Sequence, residues 1–142
     1  MTIAAILKHK GTEVVSITEQ AGMAELVRLL ANRRIGAVPV MNHAGELVGI
    51  ISERDVVSAL GAHGAAALDQ PTASFMTRSP RTGTPRTTVA EAMEVMTDGR
   101  FRHLPILHEE KLVGIISIGD VVKARLMQQA QEVDSLKAYV AA

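Results

Sequence analysis

Leu47-Val-Gly-Ile-Ile-Ser52 and Leu112-Val-Gly-Ile-Ile-Ser117 are one hexapeptide written twice, and the rest of the chain is arranged around that repetition. Upstream, Val38-Pro39-Val40 answers Leu104-Pro105-Ile106, and Met23-Ala-Glu-Leu-Val-Arg-Leu-Leu30 answers Val89-Ala-Glu-Ala-Met-Glu-Val-Met96. The offset is 66 in these upstream segments and 65 at the hexapeptide, so one residue is missing between Met41 to Glu46 and its counterpart, Leu107 to Lys111. Asn42 and Gly45 mark that stretch as a turn, where a one-residue change is tolerated. The chain is a duplication, and the fold follows from it.

Each unit reads the same way. Met23, Leu26, Val27 and Leu30, like Val89, Ala92, Met93 and Met96, fall at the spacing of an amphipathic helix with one core face, with Glu91 and Glu94 on the wet side. Two runs suited to strands follow, Ala37 to Met41 with Leu47 to Ile51 and His103 to Leu107 with Lys111 to Ile116, each pair closed into a hairpin. A second helix opens at Ser52 or Ser117, and a short extended stretch near Glu13 to Ile17 or Arg81 to Thr84 precedes the first helix. The predicted class is α/β (α+β in detail): two β-α-β-β-α repeats packed sheet to sheet about a pseudo-two-fold axis, because neither can cover its sheet alone. The predicted boundaries are 8–62 for the first repeat, 63–75 for a connector, 76–127 for the second repeat and 128–142 for a helical extension. After Val121 the helix continues into that extension with Leu126, Gln129, Val133, Leu136 and Val140 as a weak coiled-coil stripe, able to pack on its own domain or on a partner. With the outer helices it predicts a homodimer.

Composition narrows the function. Lys+Arg and Asp+Glu both total 15, so no global field draws nucleic acid or an anionic membrane. Two Phe, one Tyr and no Trp leave nothing for base stacking, and no nucleic-acid partner is expected. The absence of cysteine removes disulfides, thiolate metal sites and a thiol nucleophile. No apolar run reaches the ~18 residues of a membrane span. Met1 to Leu7 is apolar, but Lys8 and Lys10 follow it, the wrong order for a secretory signal, so the expected location is cytoplasmic.

The chemistry concentrates where each hexapeptide runs into its helix. Gly49-Ile-Ile-Ser-Glu-Arg-Asp55 and Gly114-Ile-Ile-Ser-Ile-Gly-Asp120 share glycine, two apolar residues, serine and, three residues on, aspartate. A serine at a helix start sits among free N–H groups at the positive end of the dipole, which suits a phosphate. The aspartate offers two acceptor oxygens that suit a ribose diol. Ser-x-x-Asp is also close to an ordinary capping box, in which the acid folds back on the cap N–H and binds nothing. Taken alone, the motif favours the cap.

Over about residues 10 to 127 the chain resembles the tandem cystathionine-beta-synthase (CBS) domain pair, or Bateman module, in its helices, Val-Pro-Val and Leu-Pro-Ile strands, repeated hexapeptides and both Ser-x-x-Asp turns. The resemblance implies an adenosine-containing ligand between the repeats, with the serine on phosphate, the aspartate on the ribose and adenine in an apolar slot. One implied site takes Ser117, Asp120 and Ile115, with Arg102 and His103 reaching phosphates and Lys10, Val15, Ile35 and Gly36 as the other wall. The second takes Ser52, Asp55 and Ile50, walled by Met76, Arg81, Phe101 and also Arg102. Gly36 and Ala37 stand where Arg102 and His103 stand in the second repeat, so unequal sites are expected, the Asp120 side being better equipped for a phosphate. Arg102 is equally an ordinary surface arginine, and Arg33 and Arg34 read as a solvated helix end before a role in assisting the cleft.

The implied ligand is AMP, ADP or ATP, with NAD or S-adenosylmethionine sharing the same recognisable parts. Five dispersed histidines give no metal-ligand spacing. No nucleophile elbow or Walker loop is present. The expectation is therefore a non-catalytic regulatory module, with no catalytic residue and no metal, that signals through an unidentified effector protein or through assembly. Its rivals are an interaction module with a vestigial cleft and a nucleotide hydrolase, for which no paired carboxylates can be assembled.

Overall fold

In the computed structural model, which describes residues 1–11 and 13–141, the duplication is visible bond by bond. Thr12, inside the first repeat, and Ala142, the last residue of the extension, lie outside the described residues. Helices α2 (Met23–Arg33) and α4 (Val89–Gly99) bury Met23, Leu26 and Leu30, or Val89, Ala92 and Met96, as their spacing predicts. The start of α4 is a reciprocal cap: the Glu91 N–H donates to Thr88 Oγ1 at 3.0 Å, and the Thr88 N–H donates to Glu91 Oε1 at 3.2 Å. Both helices stop on an arginine in the left-handed region, Arg34 at φ 55° and Arg100 at φ 56°.

Strands β2 (Ala37–Met41) and β3 (Leu47–Ser52) pair antiparallel, as do β5 (His103–His108) and β6 (Lys111–Ser117). The registers match: Val38 faces Ile51, Leu104 faces Ile116, and each ladder is irregular just after Val40 or Ile106. The missing residue lies in the turn. Gly45, at φ 78°, helps close the longer loop, whereas Glu109 and Glu110 both take positive φ in a two-residue turn that matches strand twist. In the first half β1 (Ile17–Thr18) and β4 (Thr77–Arg78) flank the hairpin, giving the order β1-β2-β3-β4. In the second half a single bridge from Gly83 to Ile106 replaces the first of these, and the sheet is β5-β6. Helices α3 (Glu53–His63) and α5 (Ile118–Ala141) follow the hairpins.

Each half has its own core, and each core is completed by a segment that precedes the other repeat. Helix α1 (Ile3–Lys10) puts Ile3 and Ile6 among Val89, Met96, Leu104 and Ile116 of the second repeat. The stretch after α3 puts Ala67 and Met76 among Leu26, Val38 and Ile51 of the first. Backbone bonds repeat the exchange. The Ile3 N–H donates to the Thr87 carbonyl at 2.8 Å and the Val89 N–H to the Met1 carbonyl at 3.0 Å. Their counterparts are the Thr72 N–H to the Ala21 carbonyl at 2.7 Å and the Met23 N–H to the Gln70 carbonyl at 2.9 Å.

This exchange explains the glycine of the repeated hexapeptide. A Cβ on Gly49 would lie 2.6 Å from Met76 Sδ and 2.9 Å from the Thr77 carbonyl oxygen; on Gly114 it would lie 2.6 Å from Leu7 Cδ2, with the next atom at 3.7 Å. Leu7 can rotate, whereas the Thr77 carbonyl belongs to the ladder. Gly49→Ala is therefore expected to cost about 1–3 kcal/mol, the range for overpacking, and Gly114→Ala less than half as much, measured by urea unfolding.

Candidate functional site

The two repeats meet where β2 and β5 begin. The His103 ring lies over Gly36, close enough that a Cβ there would be 3.4 Å from both Cε1 and Nε2. Two equivalent bonds tie these strand starts to the helices beyond: the Glu53 N–H donates to the Gly36 carbonyl at 2.9 Å, and the Ile118 N–H to the Arg102 carbonyl at 2.8 Å. Gly36, Ala37 and His103 line two cavities and so form the partition between them.

The smaller cavity, about 230 Å3, brings together Lys10, Ile35, Gly36, His103, Ile115 and Ser117, with Arg34 beside them. Asp120 lies behind this group rather than in the lining. Its Oδ2 accepts the Ser117 N–H at 2.8 Å and the Lys10 ammonium at 2.8 Å, while its own N–H donates to Ser117 Oγ at 3.1 Å. Lys10 also donates to the Ile115 carbonyl at 3.0 Å. Val15 is half-buried against the first core, and Arg33 reaches away to Glu13 at 3.0 Å.

The larger cavity, about 1300 Å3, brings together Ile50, Ser52, Asp55, Arg81, Phe101 and Arg102. Asp55 Oδ2 accepts the Ser52 N–H at 2.8 Å and the Ser52 hydroxyl at 3.1 Å. Met76 is not in the lining; it is buried in the first core, beneath Gly49. Arg102 opens here and not on the side of Asp120. Next to it His103 begins β5 and lines both spaces. Arg54 and Arg100 also line this cavity and escape the sequence reading. Arg54 is one of the two variable positions of the motif. Arg100 occupies a helix end where glycine or asparagine is the usual signal, and its match to Arg34 at the same offset was the available clue.

Both aspartates thus act as caps through one oxygen, and among the described residues no hydrogen bond reaches either Oδ1. A cap and a ligand group are compatible when the two oxygens divide the work. Among the described residues there is no cluster of potential metal ligands, and no helix is long and apolar enough to cross a membrane.

Two groups here titrate unusually. Burial alone would raise the Asp120 carboxyl, but the bonds from Lys10 and Ser117 and the charge of Lys10 outweigh it and hold the group below its ordinary value. Its stabilisation is present above the unfolded pKa and is lost as pH falls through the folded one. His103 is pushed down by burial and then by the Lys10 charge, against smaller opposing effects of Glu53 and Asp120. The unfolded chain therefore binds a proton at His103 that the folded chain refuses, and stability should fall as pH drops from above the ordinary histidine value toward the folded one. Urea midpoints at neutral and mildly acidic pH are expected to separate more for the wild type than for His103→Gln.

A profile of the CBS domain matches residues 9–62 and 73–127. The chain is 31% identical over 147 residues to the CBS domain-containing protein CBSX3, mitochondrial, of Arabidopsis thaliana, covering 98% of this chain and 71% of that one. The crystal structure of the CBS-domain containing protein ATU1752 from Agrobacterium tumefaciens is 41% identical, with a TM-score of 0.85 over 88% of this chain and 99% of that one. The structure of CBSX2 in complex with AMP shares the fold at 24% identity, with a TM-score of 0.71 over 82% of this chain and 90% of that one. With both repeats matched and the same architecture in solved relatives, this chain belongs to the CBS domain family and carries two such domains in tandem.

Proposed function

We propose that this protein is a non-catalytic regulatory module that binds an adenosine-containing nucleotide, of the AMP, ADP or ATP class, in the cleft headed by Ser52 and Asp55. One observation carries the choice of cleft: a Ser-x-x-Asp turn opens into about 1300 Å3 lined also by Arg54, Arg81, Arg100 and Arg102. Ligand sites run from roughly 300 to 1,000 Å3, so this space admits a nucleotide, whereas about 230 Å3 on the Asp120 side falls short. Asp55 Oδ1 accepts from the ribose diol, Ile50 and Phe101 flank the base, and the arginines take the phosphates. CBSX2 in complex with AMP supports the ligand class.

This order of the sites is the reverse of the one expected from sequence. Lys10 already occupies Asp120, and Arg102 opens on the other side. NAD and S-adenosylmethionine share the adenosine and compete for the same cleft in this reading. In this reading occupancy changes the behaviour of an effector protein or of the assembly.

The test is calorimetry with each adenosyl ligand, together with mass spectrometry of small molecules released from freshly purified protein. Tyr139 is the only tyrosine or tryptophan, so bound adenine would also dominate the spectrum at wavelengths below the protein band. Asp55→Asn is expected to weaken binding at least tenfold, the worth of a charge-assisted hydrogen bond of ~1.5–3 kcal/mol, and Asp120→Asn much less. The opposite ranking would move the site to Asp120, and no binding of any adenosyl ligand would leave an interaction module.

A further inference from the structure

Helix α5 leaves the body with one face unused. Its buried residues are Val121 and Ala124. From Gln129 to Ala141 every residue is exposed. A projecting helix of about a dozen residues is marginal in water without tertiary support. Its exposed apolar residues include Met127 (46%) and Tyr139 (82%) and a line of five, Val122 (42%), Leu126 (60%), Val133 (51%), Leu136 (63%) and Val140 (76%). With Gln129 they advance in steps of four and three, and this seam faces away from Val121 and Ala124.

We propose that this seam pairs with the same seam of a second copy as a parallel two-stranded coiled coil. Set in heptads, Leu126, Val133 and Val140 take the a positions, and Val122, Gln129 and Leu136 take d. The distal layers, β-branched Val133 and Val140 at a around Leu136 at d, follow the pattern that favours two parallel strands, whereas Val122 at d and Leu126 at a invert it and Gln129 puts one polar layer at d. Charge selects the same partner. Glu132 falls at g and Lys137 at the following e, the two positions that face each other between parallel strands. A two-fold axis makes the pair twice, Glu132 to the partner's Lys137 and the partner's Glu132 to Lys137. Antiparallel strands oppose g to g and e to e and leave this complementarity unused. The equal totals of 15 basic and 15 acidic residues set no net repulsion between copies. The inference is independent of what the cleft binds.

Sedimentation equilibrium of the full chain should show a dimer at micromolar concentrations. Lys137→Glu, which opposes like charges at both symmetric contacts, should raise the dissociation constant about tenfold, and combining it with Glu132→Lys should restore the wild-type value. These side chains are exposed, so thermal unfolding of the repeats should be unchanged. The chain has no cysteine, so Leu136→Cys reports on orientation: parallel strands in register cross-link to a covalent dimer under mild oxidation. A monomeric wild type overturns the proposal. A dimer indifferent to the charge variants, or one that Leu136→Cys does not cross-link, overturns it equally, since that dimer uses another surface or antiparallel strands.

Discussion

Ile3 is fully buried, and it is buried in the repeat to which it is not adjacent in sequence. Burying an isoleucine is worth ~1.5–3 kcal/mol, so Ile3 and Ile6 together supply a large part of a domain stability of about 5–15 kcal/mol. Met76 and Ala67 do the same for the first repeat. The two repeats cannot separate without opening both cores. The repeats are therefore held together by burial of the exchanged segments in the two cores and not by the polar residues that line the seam. That leaves the lining free to carry charge.

The inequality of the clefts has the same origin. The segment that completes the second core ends in Lys10, whose ammonium lands on Asp120; its counterpart beside the first core leads into Ser79 and Pro80, which line the larger cavity. Duplication copied the Ser-x-x-Asp turns almost unchanged, but Lys10 at the end of the lent helix meets only the second of them, while the first faces the end of α4 and the start of β5. Four arginines gather on one side, while a lysine neutralises the acid on the other. The partition of Gly36 and His103 keeps the two spaces distinct.

Repeats, helix faces and hairpins were legible because each is a local periodicity, confirmed by its second copy. The one-residue slip at Met41 to Glu46 even located the turn. Helix α1 was not legible. Its counterpart near Thr72 is a short 3-10 turn after Pro71, so neither composition nor helical period connects the two segments. The site was half legible. The motif residues Ser52, Asp55, Ser117 and Asp120 stand where their pattern puts them, each at the start of a helix. The assignment of walls was divided where it depended on side-chain direction, as at Arg102, expected in both clefts and opening into one, and it missed where it depended on burial, as at Met76. Arg100 was hidden by an unusual helix stop, a left-handed arginine where glycine is the common choice.

The exchanged segments also impose an order on biosynthesis. Helix α1 leaves the ribosome before the strands that seat it, because Ile3 bonds to Thr87 and packs on Leu104 and Ile116. At about 5–20 residues per second its apolar face waits on the order of several seconds for that seat to be made. The first repeat has no such delay, since its completing segment follows directly after α3. Nascent chains thus acquire one finished half while the other half's first helix remains uncovered, and that interval is when a holdase has something to bind.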